Sequence, residues 1–275
     1  MDLQLDYSLG DSYKSNTQKM RVITETWVAK NLFCPICGND DISRYESNRP
    51  VADFFCADCH ADFELKSKEL QTNRLPSIIA DGAYKTMISR ITSDNNPHFF
   101  ILVHHDQIIR HFFLVPKYYF IPRYIEKRPP LSATARRAGW IGCNINLASI
   151  PQTGLIFIIK NEEQVRKDIV LEQVARMKEM NHHSLEERGW LFEVLKCIEQ
   201  IQKKEFSLRD IYAYADYLSG IHQKNHNIEA KIRQQLQIIR DKGFIEFLGH
   251  GQYRTRSKND ETIYNCSAGN GRWRV

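Results

Sequence analysis

Asp53, Glu64 and Lys66 are the residues whose types and spacing could do chemistry. Ten residues separate Asp53 from Glu64, and Lys66 follows two after Glu64. Side chains on a strand alternate between faces, so Glu64 and Lys66 share one face while Phe63 and Leu65 point the other way into a core. If residues 51–56 (VADFFC) and 63–66 (FELK) are two short strands of one hairpin, Asp53 sits beside Glu64. Two carboxylates offer the hard oxygen ligands that suit Mg2+. Such an ion polarises a phosphate and acidifies a bound water, and a lysine next to it orients that water or stabilises charge building on phosphorus. A solvated strand carries the same acidic and basic alternation, so the string alone leaves both readings open.

A second constellation reaches into this hairpin through its second half. Cys34-Pro-Ile-Cys37 and Cys56-Ala-Asp-Cys59 are two CxxC pairs with 18 residues between them. That spacing fits a structural Zn2+ site made by Cys34, Cys37, Cys56 and Cys59, because each knuckle presents two sulfurs and two knuckles complete a tetrahedron. Four thiolates leave no open position, which argues against a catalytic zinc. Gly38 suits the tight turn after the first knuckle. The other three of the seven cysteines, Cys143, Cys197 and Cys266, are scattered and read as ordinary small apolar residues or free thiols.

The elements that position these groups follow from the apolar pattern. Residues 16–31 read as a helix with Ile23, Trp27 and Val28 on one face and Ser15 or Asn16 as cap. Residues 78–93 read as a second helix. The run from Phe99 to Pro116 predicts two buried strands with a turn near 105–107, and residues 154–160 predict another strand. Residues 122–147 contain prolines, glycines and basic groups, and read as one long functional loop. Within it, Trp140 stands near Arg136 and Arg137. An aromatic ring beside two guanidinium groups can wedge against bases or enclose a methyl group, although a tryptophan is more often core. His104, His105 and His111 lie near strands and read as structural or exposed, not as general bases.

The pattern changes near residue 182. Ser184 and Glu187 form a capping box, and three helical stretches follow at roughly 185–202, 207–219 and 227–242. Two short strands around Gly249–Gly251 complete the winged-helix order. In the third helix Ile228, Ile232, Leu236 and Ile239 make a core stripe. Arg233, Gln234 and Gln237 lie opposite, flanked by Asn227 and Lys231. Arg pairs well with guanine and Gln with adenine in the major groove; a solvated polar face has the same composition. His250, Gln252, Tyr253 and Arg254 on the wing are within reach of phosphates, which position a protein without reading sequence.

Bulk properties agree. The chain has 275 residues, 42% hydrophobic, with a formal net charge of +5, a pI near 8.7 and a mean hydropathy of -0.47. It can bury a real core, and its mild basicity permits a polyanionic partner without demanding one. It carries no long apolar run for a membrane span and no basic-then-apolar leader at its start. The expected location is the cytoplasm, where an odd number of cysteines fits metal ligation better than a disulfide framework.

The stretch Asn48-Arg49-Pro50-Val51-Ala52-Asp53-Phe54 through Phe63-Glu64-Leu65-Lys66-Ser67-Lys68, interleaved with the four cysteines, resembles the DpnI-type methyl-directed restriction endonucleases. So do Asp81-Gly82-Ala83-Tyr84, the run from Thr134 to Asn144 and the run from Lys231 to Gln237. The resemblance spans about residues 10 to 256, in the same order. It implies a mixed α/β PD-(D/E)XK nuclease domain with an embedded four-cysteine zinc site, followed by a winged-helix domain. Asp53, Glu64 and Lys66 match that motif position by position. It also implies a type II deoxyribonuclease that needs Mg2+, uses Zn2+ structurally, and cuts double-stranded DNA at GATC only where the adenine carries an N6-methyl group. Both domains are expected to read that site. The expected organisation is a catalytic domain over 1–182, a winged helix over 183–256 and a tail over 257–275 without clear period, expected to be disordered and outside the resemblance. The expected state in solution is a monomer. Three other readings predict different outcomes: a zinc and winged-helix regulator that shifts DNA without cutting it, a nuclease with another modified target, and a redox protein using its CxxC pairs.

Overall fold

A computed structural model describes residues 1–46, 52–93, 95–178 and 183–256. Pro50, Val51, residues 179–182 around the expected change of pattern and the tail at 257–275 lie outside the described residues.

The first helix, α1 (Asn16–Asn31), has the predicted bounds and buries Ile23, Trp27 and Val28; Ser15 stands at its N-cap without a capping hydrogen bond. The strands that follow are β1 (Ser43–Arg44), β2 (Phe54–Phe55), β3 (Asp62–Glu69), β4 (Ile78–Ala83), β5 (His98–His105), β6 (Ile108–Val115), β7 (Ile125–Lys127), β8 (Gly142–Asn146), β9 (Ile156–Lys160) and β10 (Glu163–Gln164). A seven-stranded mixed sheet runs β1-β2-β3-β5-β6-β9-β10, and only β3 and β5 are parallel in it. Its centre is the apolar run read from the sequence: β5 and β6 are buried almost throughout. One face packs on α1, where Trp27 meets Phe112 and Phe100 stacks on Phe63 at 4.5 Å. The other face carries Glu64 and Lys66.

That second face is covered by elements the sequence reading assigned differently. Residues 78–93 are not one helix. Ile78–Ala83 form β4, and only Tyr84–Thr92 form a helix, α2. The reason is non-local: β4 pairs with β8, which also pairs with β7, in a three-stranded antiparallel sheet. Both partners lie within 122–147, so that segment is two strands joined by a loop rather than one long loop. A further helix, α3 (Lys167–Lys178), was not anticipated, although Val170, Val174 and Met177 carry the helical spacing and are buried.

The C-terminal part comprises α4 (Leu185–Ile201), β11 (Glu205–Ser207), α5 (Leu208–Tyr212), α6 (Ala215–Ile221), α7 (Ile228–Asp241), β12 (Ile245–Gly249) and β13 (Gln252–Thr255). The capping box at Ser184 and Glu187 makes both reciprocal bonds. The stretch expected as one helix over 207–219 is split, and β11 joins β13 and β12 as the third strand of the wing sheet. Residues 188–195 of α4 are all buried. Eight consecutive residues exceed two helical turns, so every face of α4 is covered. One side meets the winged helix. The other meets the first part of the chain: Phe192 stacks on Tyr119 at 4.5 Å, Arg188 donates to the Tyr118 carbonyl at 2.9 Å, and Glu199 accepts from the Gln152 N–H at 2.6 Å. A single connected hydrophobic cluster therefore runs through both parts of the chain.

Candidate active site and zinc cluster

Along its buried half β3 carries charge on one face and apolar side chains on the other. Phe63 is fully buried against Phe100, which fixes the register and turns Glu64 and Lys66 to the opposite face. Phe54 pairs with Phe63, and continuing that register one step sets Asp53 opposite Glu64. The backbone N–H of Asp53 donates to the Phe63 carbonyl at 2.9 Å, and its Oδ2 accepts from the Leu65 N–H at 2.8 Å. The hairpin reading thus brings Asp53 alongside Glu64.

Lys66 Nζ lies 2.6 Å from Glu64 Oε1 and 2.5 Å from Asp81 Oδ1, and Arg90 Nη2 lies 3.2 Å from Glu64 Oε2. Asp81 comes from β4 and Arg90 from α2, so four charges from three elements meet under the second sheet. Their side chains are 7–18% exposed. Burial pushes the Glu64 carboxyl up, with Lys66 opposing. Burial alone would pull the Lys66 ammonium down, but Glu64 and Asp81 outweigh it and hold it above the usual lysine value. A buried charge is tolerated when paired and hydrogen-bonded. Here two anions and two cations balance. Asp81 and Arg90 were not singled out as site residues, although Asp81 opens one of the motifs that carry the resemblance and directly follows the apolar run Ile78-Ile79-Ala80.

The four cysteines converge at the hairpin end. Cys34 Sγ and Cys59 Sγ are 3.6 Å apart, Cys37 Sγ and Cys56 Sγ 3.5 Å, and all four sulfurs lie within 4.8 Å of one another. Metal–sulfur bonds of about 2.3 Å in a tetrahedron give sulfur–sulfur edges of about 3.8 Å. The cluster fits a zinc ion. Each knuckle closes alike: the Gly38 N–H donates to the Cys34 carbonyl and the His60 N–H to the Cys56 carbonyl, and both residues take positive φ, 88° and 56°. Burial resists ionisation of Cys56, yet the backbone N–H groups of Cys59 and Asp58 bring its thiol down to about 7. A second group, Glu69, His105 and Asp106, also gathers three ligand atoms within 4.8 Å on the more exposed edge of β3 and β5, and could take a metal. His104 and His111 are buried and bond the backbone carbonyls of Asp106 and Asn73, as structural histidines do.

Residues 1–183 match the family model described as DpnI, the Dam-replacing family, and residues 186–255 match its Dam-replacing HTH domain. The chain belongs to the Dam-replacing family. Membership makes it a DNA-binding nuclease with a mixed α/β catalytic fold and a C-terminal winged helix. Among the described residues no helix is long and apolar enough to cross a membrane.

In this Dam-replacing protein the residues expected at DNA lie on two surfaces. The β7–β8 loop is tied at its base by Arg128 N–H to the Gly142 carbonyl and Leu131 N–H to the Trp140 carbonyl. Arg136 and Arg137 are exposed on it and Trp140 is half-buried. The Trp140 ring edge lies on Gly142, where a Cβ would approach to 2.8 Å, so any larger residue there would push the ring aside. On α7, Ile232, Leu236 and Ile239 are buried as the stripe predicts, and Arg233, Gln234, Gln237 and Asn227 are exposed. Arg233 donates to the Tyr212 hydroxyl at 2.6 Å. Lys231 is turned inward, its Nζ 5.9 Å from the Trp190 ring, and Arg254 is held by Glu205 on the neighbouring strand.

Proposed function

We propose that this protein hydrolyses phosphodiester bonds of double-stranded DNA at GATC sites carrying N6-methyladenine, with Asp53, Glu64 and Lys66 as its catalytic residues and Mg2+ as its cofactor. The observation that carries the proposal is the buried Glu64–Lys66 pair on β3 with Asp53 in register opposite, in a chain that matches the Dam-replacing family along both its parts. Asp53 and Glu64 present carboxylate oxygens, the ligand type a hard divalent cation takes. When bound there, the cation supplies an acidified water and a positive charge at the scissile phosphate. The chain's own part is to hold that geometry. Asp53 and Glu64 would hold the cation, and Lys66 keeps an ammonium aimed at the face where charge builds on the phosphoryl oxygens.

Zn2+ on Cys34, Cys37, Cys56 and Cys59 is structural in this reading: it locks the β2–β3 turn and thereby the register of Asp53 against Glu64. Residues 1–182 cut, and both they and the winged helix of residues 183–256 read the site. Arg136 and Arg137 hold backbone phosphates, and Trp140 packs against bases or methyl groups. The exposed face of α7 enters the major groove with Arg233, Gln234 and Gln237, with Asn227 at its start, and Lys231 swings out from the Trp190 ring to join them. The β7–β8 loop is anchored on β8, whose Cys143 pairs with Asp81, so contact at Trp140 is felt next to the catalytic cluster. The protein acts as a cytoplasmic monomer.

The test is a digest of two plasmids differing only in adenine methylation at GATC, with Mg2+ present. Cutting of the methylated plasmid alone is expected. Cutting of both would keep the nuclease and remove the methyl requirement. Cutting of neither by folded, zinc-loaded protein would leave a DNA-binding regulator.

A further inference from the structure

Lys66 has two acidic neighbours, and they are not equivalent. Glu64 sits on the same strand and, on the reading above, gives its oxygens to a cation during the reaction. An ammonium held by Glu64 alone would lose its counter-ion at that moment, in a place where an unpaired charge is costly. Asp81 comes from a different sheet, and three features aim it at Lys66. β4 carries a bulge between Asp81 and Ala83, where the pairing with β8 shifts register. A bulge re-aims side chains and is common beside active sites. The residue at the bulge is Gly82, whose N–H donates to Asp81 Oδ1 at 2.7 Å and holds the carboxylate in place. β4 is laid over β3 at a second point, where Lys68 Nζ reaches the Ile78 carbonyl at 3.3 Å. Arg90 does the matching work on the other side, bonding the Glu64 oxygen that Lys66 leaves open.

We propose, on the nuclease reading above, that Asp81 is a positioning residue for the hydrolytic step. The bulge at Gly82 fixes its carboxylate so that Lys66 keeps its place over the site when Glu64 turns to the metal. Asp81 touches neither DNA nor cation; it acts through Lys66.

The experiment compares the full-length, zinc-loaded wild type with Asp81→Asn, Asp81→Glu and Glu64→Gln. It measures kcat and KM on methylated DNA, binding to the same DNA without divalent cation, and thermal melting. Asp81→Asn keeps shape and removes charge. Its kcat is expected to fall about 10- to 100-fold, the range for groups that orient a metal site's residues, with KM and DNA affinity as in the wild type and a lowered melting temperature, because a buried cation loses its partner. Asp81→Glu, which keeps the charge, is expected to recover part of the lost kcat. If Asp81→Asn does not fold, Asp81→Glu carries the test, with kcat reduced at unchanged KM. A wild-type kcat in the folded Asp81 variant, or a change in KM alone, beside an inactive Glu64→Gln would overturn the proposal and leave the nuclease site standing. A Glu64→Gln protein that cuts normally would overturn the site and the proposal together.

Discussion

The face proposed to cut and the faces proposed to read DNA are built in opposite ways. At the cutting face, Glu64, Lys66, Asp81 and Arg90 are nearly buried and satisfy one another. At the reading face, Gln234 and Gln237 on α7 and Arg136 and Arg137 on the β7–β8 loop stand in solvent. A catalytic cluster must be organised before substrate arrives, because stabilisation of a transition state comes from groups already fixed in place. A surface that reads DNA is completed by the DNA, and before that its polar side chains are best left hydrated. Between them lies α4, covered on every face, which fixes the reader to the cutter.

The sharpest break of this contrast is Glu64→Ala. Losing a metal-binding carboxylate removes several kcal/mol of transition-state stabilisation, which corresponds to about a thousandfold or more in cleavage rate. Binding to methylated DNA is expected to persist, since the reading face is elsewhere. Filter binding and single-turnover cleavage on the same preparation check it; binding lost in parallel with cutting would mean that the two faces are not separable.

Cys56→Ser asks whether the zinc cluster serves the cutting face alone. Cys56 is buried where β2 meets β3. Structural zinc is coupled to folding, with apparent binding energies of about 10–16 kcal/mol in small domains, so weakening one ligand is expected to lower both zinc content and melting temperature. Because α4 joins the two parts into one core, the winged helix should melt in the same transition. Metal analysis and calorimetry decide. Unchanged zinc and stability would refute a structural role, while a separate, later transition for the winged helix would show that α4 does not couple the parts.

The same contrast governs how much of the molecule was legible in its residues. Local signals read well. Residues 16–31 form the helix their spacing predicts, the Ser184–Glu187 box makes both its bonds, and the CxxC spacing brought four sulfurs together. What escaped is what depends on distant pairing. Ile78–Ala83 carries an apolar stretch as compatible with a helix as with a strand, and its partner β8 lies more than sixty residues downstream in a segment that looks like loop. Missing β4 meant missing Asp81, since only the second sheet carries it over Lys66. β11 escaped for the same reason: Glu205–Ser207 became a strand because β13 was there to pair with it. α3 is different. Its signal was local and present in Val170, Val174 and Met177.

A smaller effect is expected from Gln237→Ala and Arg233→Ala. Each side chain sits on the exposed face of α7, and a bidentate base contact is worth about 1–3 kcal/mol of discrimination. Losing either should weaken binding to the methylated site more than binding to unrelated DNA, and should leave melting near the wild-type value because neither side chain is part of the core. Competition binding with matched and scrambled duplexes measures this. Equal losses on both duplexes would make these residues phosphate contacts, and no loss would leave α7 with a merely solvated face.

Arg254→Ala is expected to matter least, although the wing is where a phosphate contact would naturally be sought. Arg254 Nε and Nη2 both donate to Glu205 Oε1, at 2.9 and 2.8 Å, across the β13–β11 pair. To meet a phosphate it must give up that carboxylate, so the gain in DNA contact is offset by the loss of an existing pair. Exposed ion pairs of this kind contribute little, and neither stability nor affinity should change much on removal. Salt dependence separates the possibilities. A residue that neutralises a phosphate contributes about one unit to the slope of log affinity against log salt. An unchanged slope in Arg254→Ala would place the wing outside the reading face, as the Glu205 pairing implies. A slope reduced by about one would show that DNA outcompetes Glu205 for the guanidinium. Glu205→Gln should then raise affinity by releasing Arg254 in advance, and the reading face would extend from α7 across the wing.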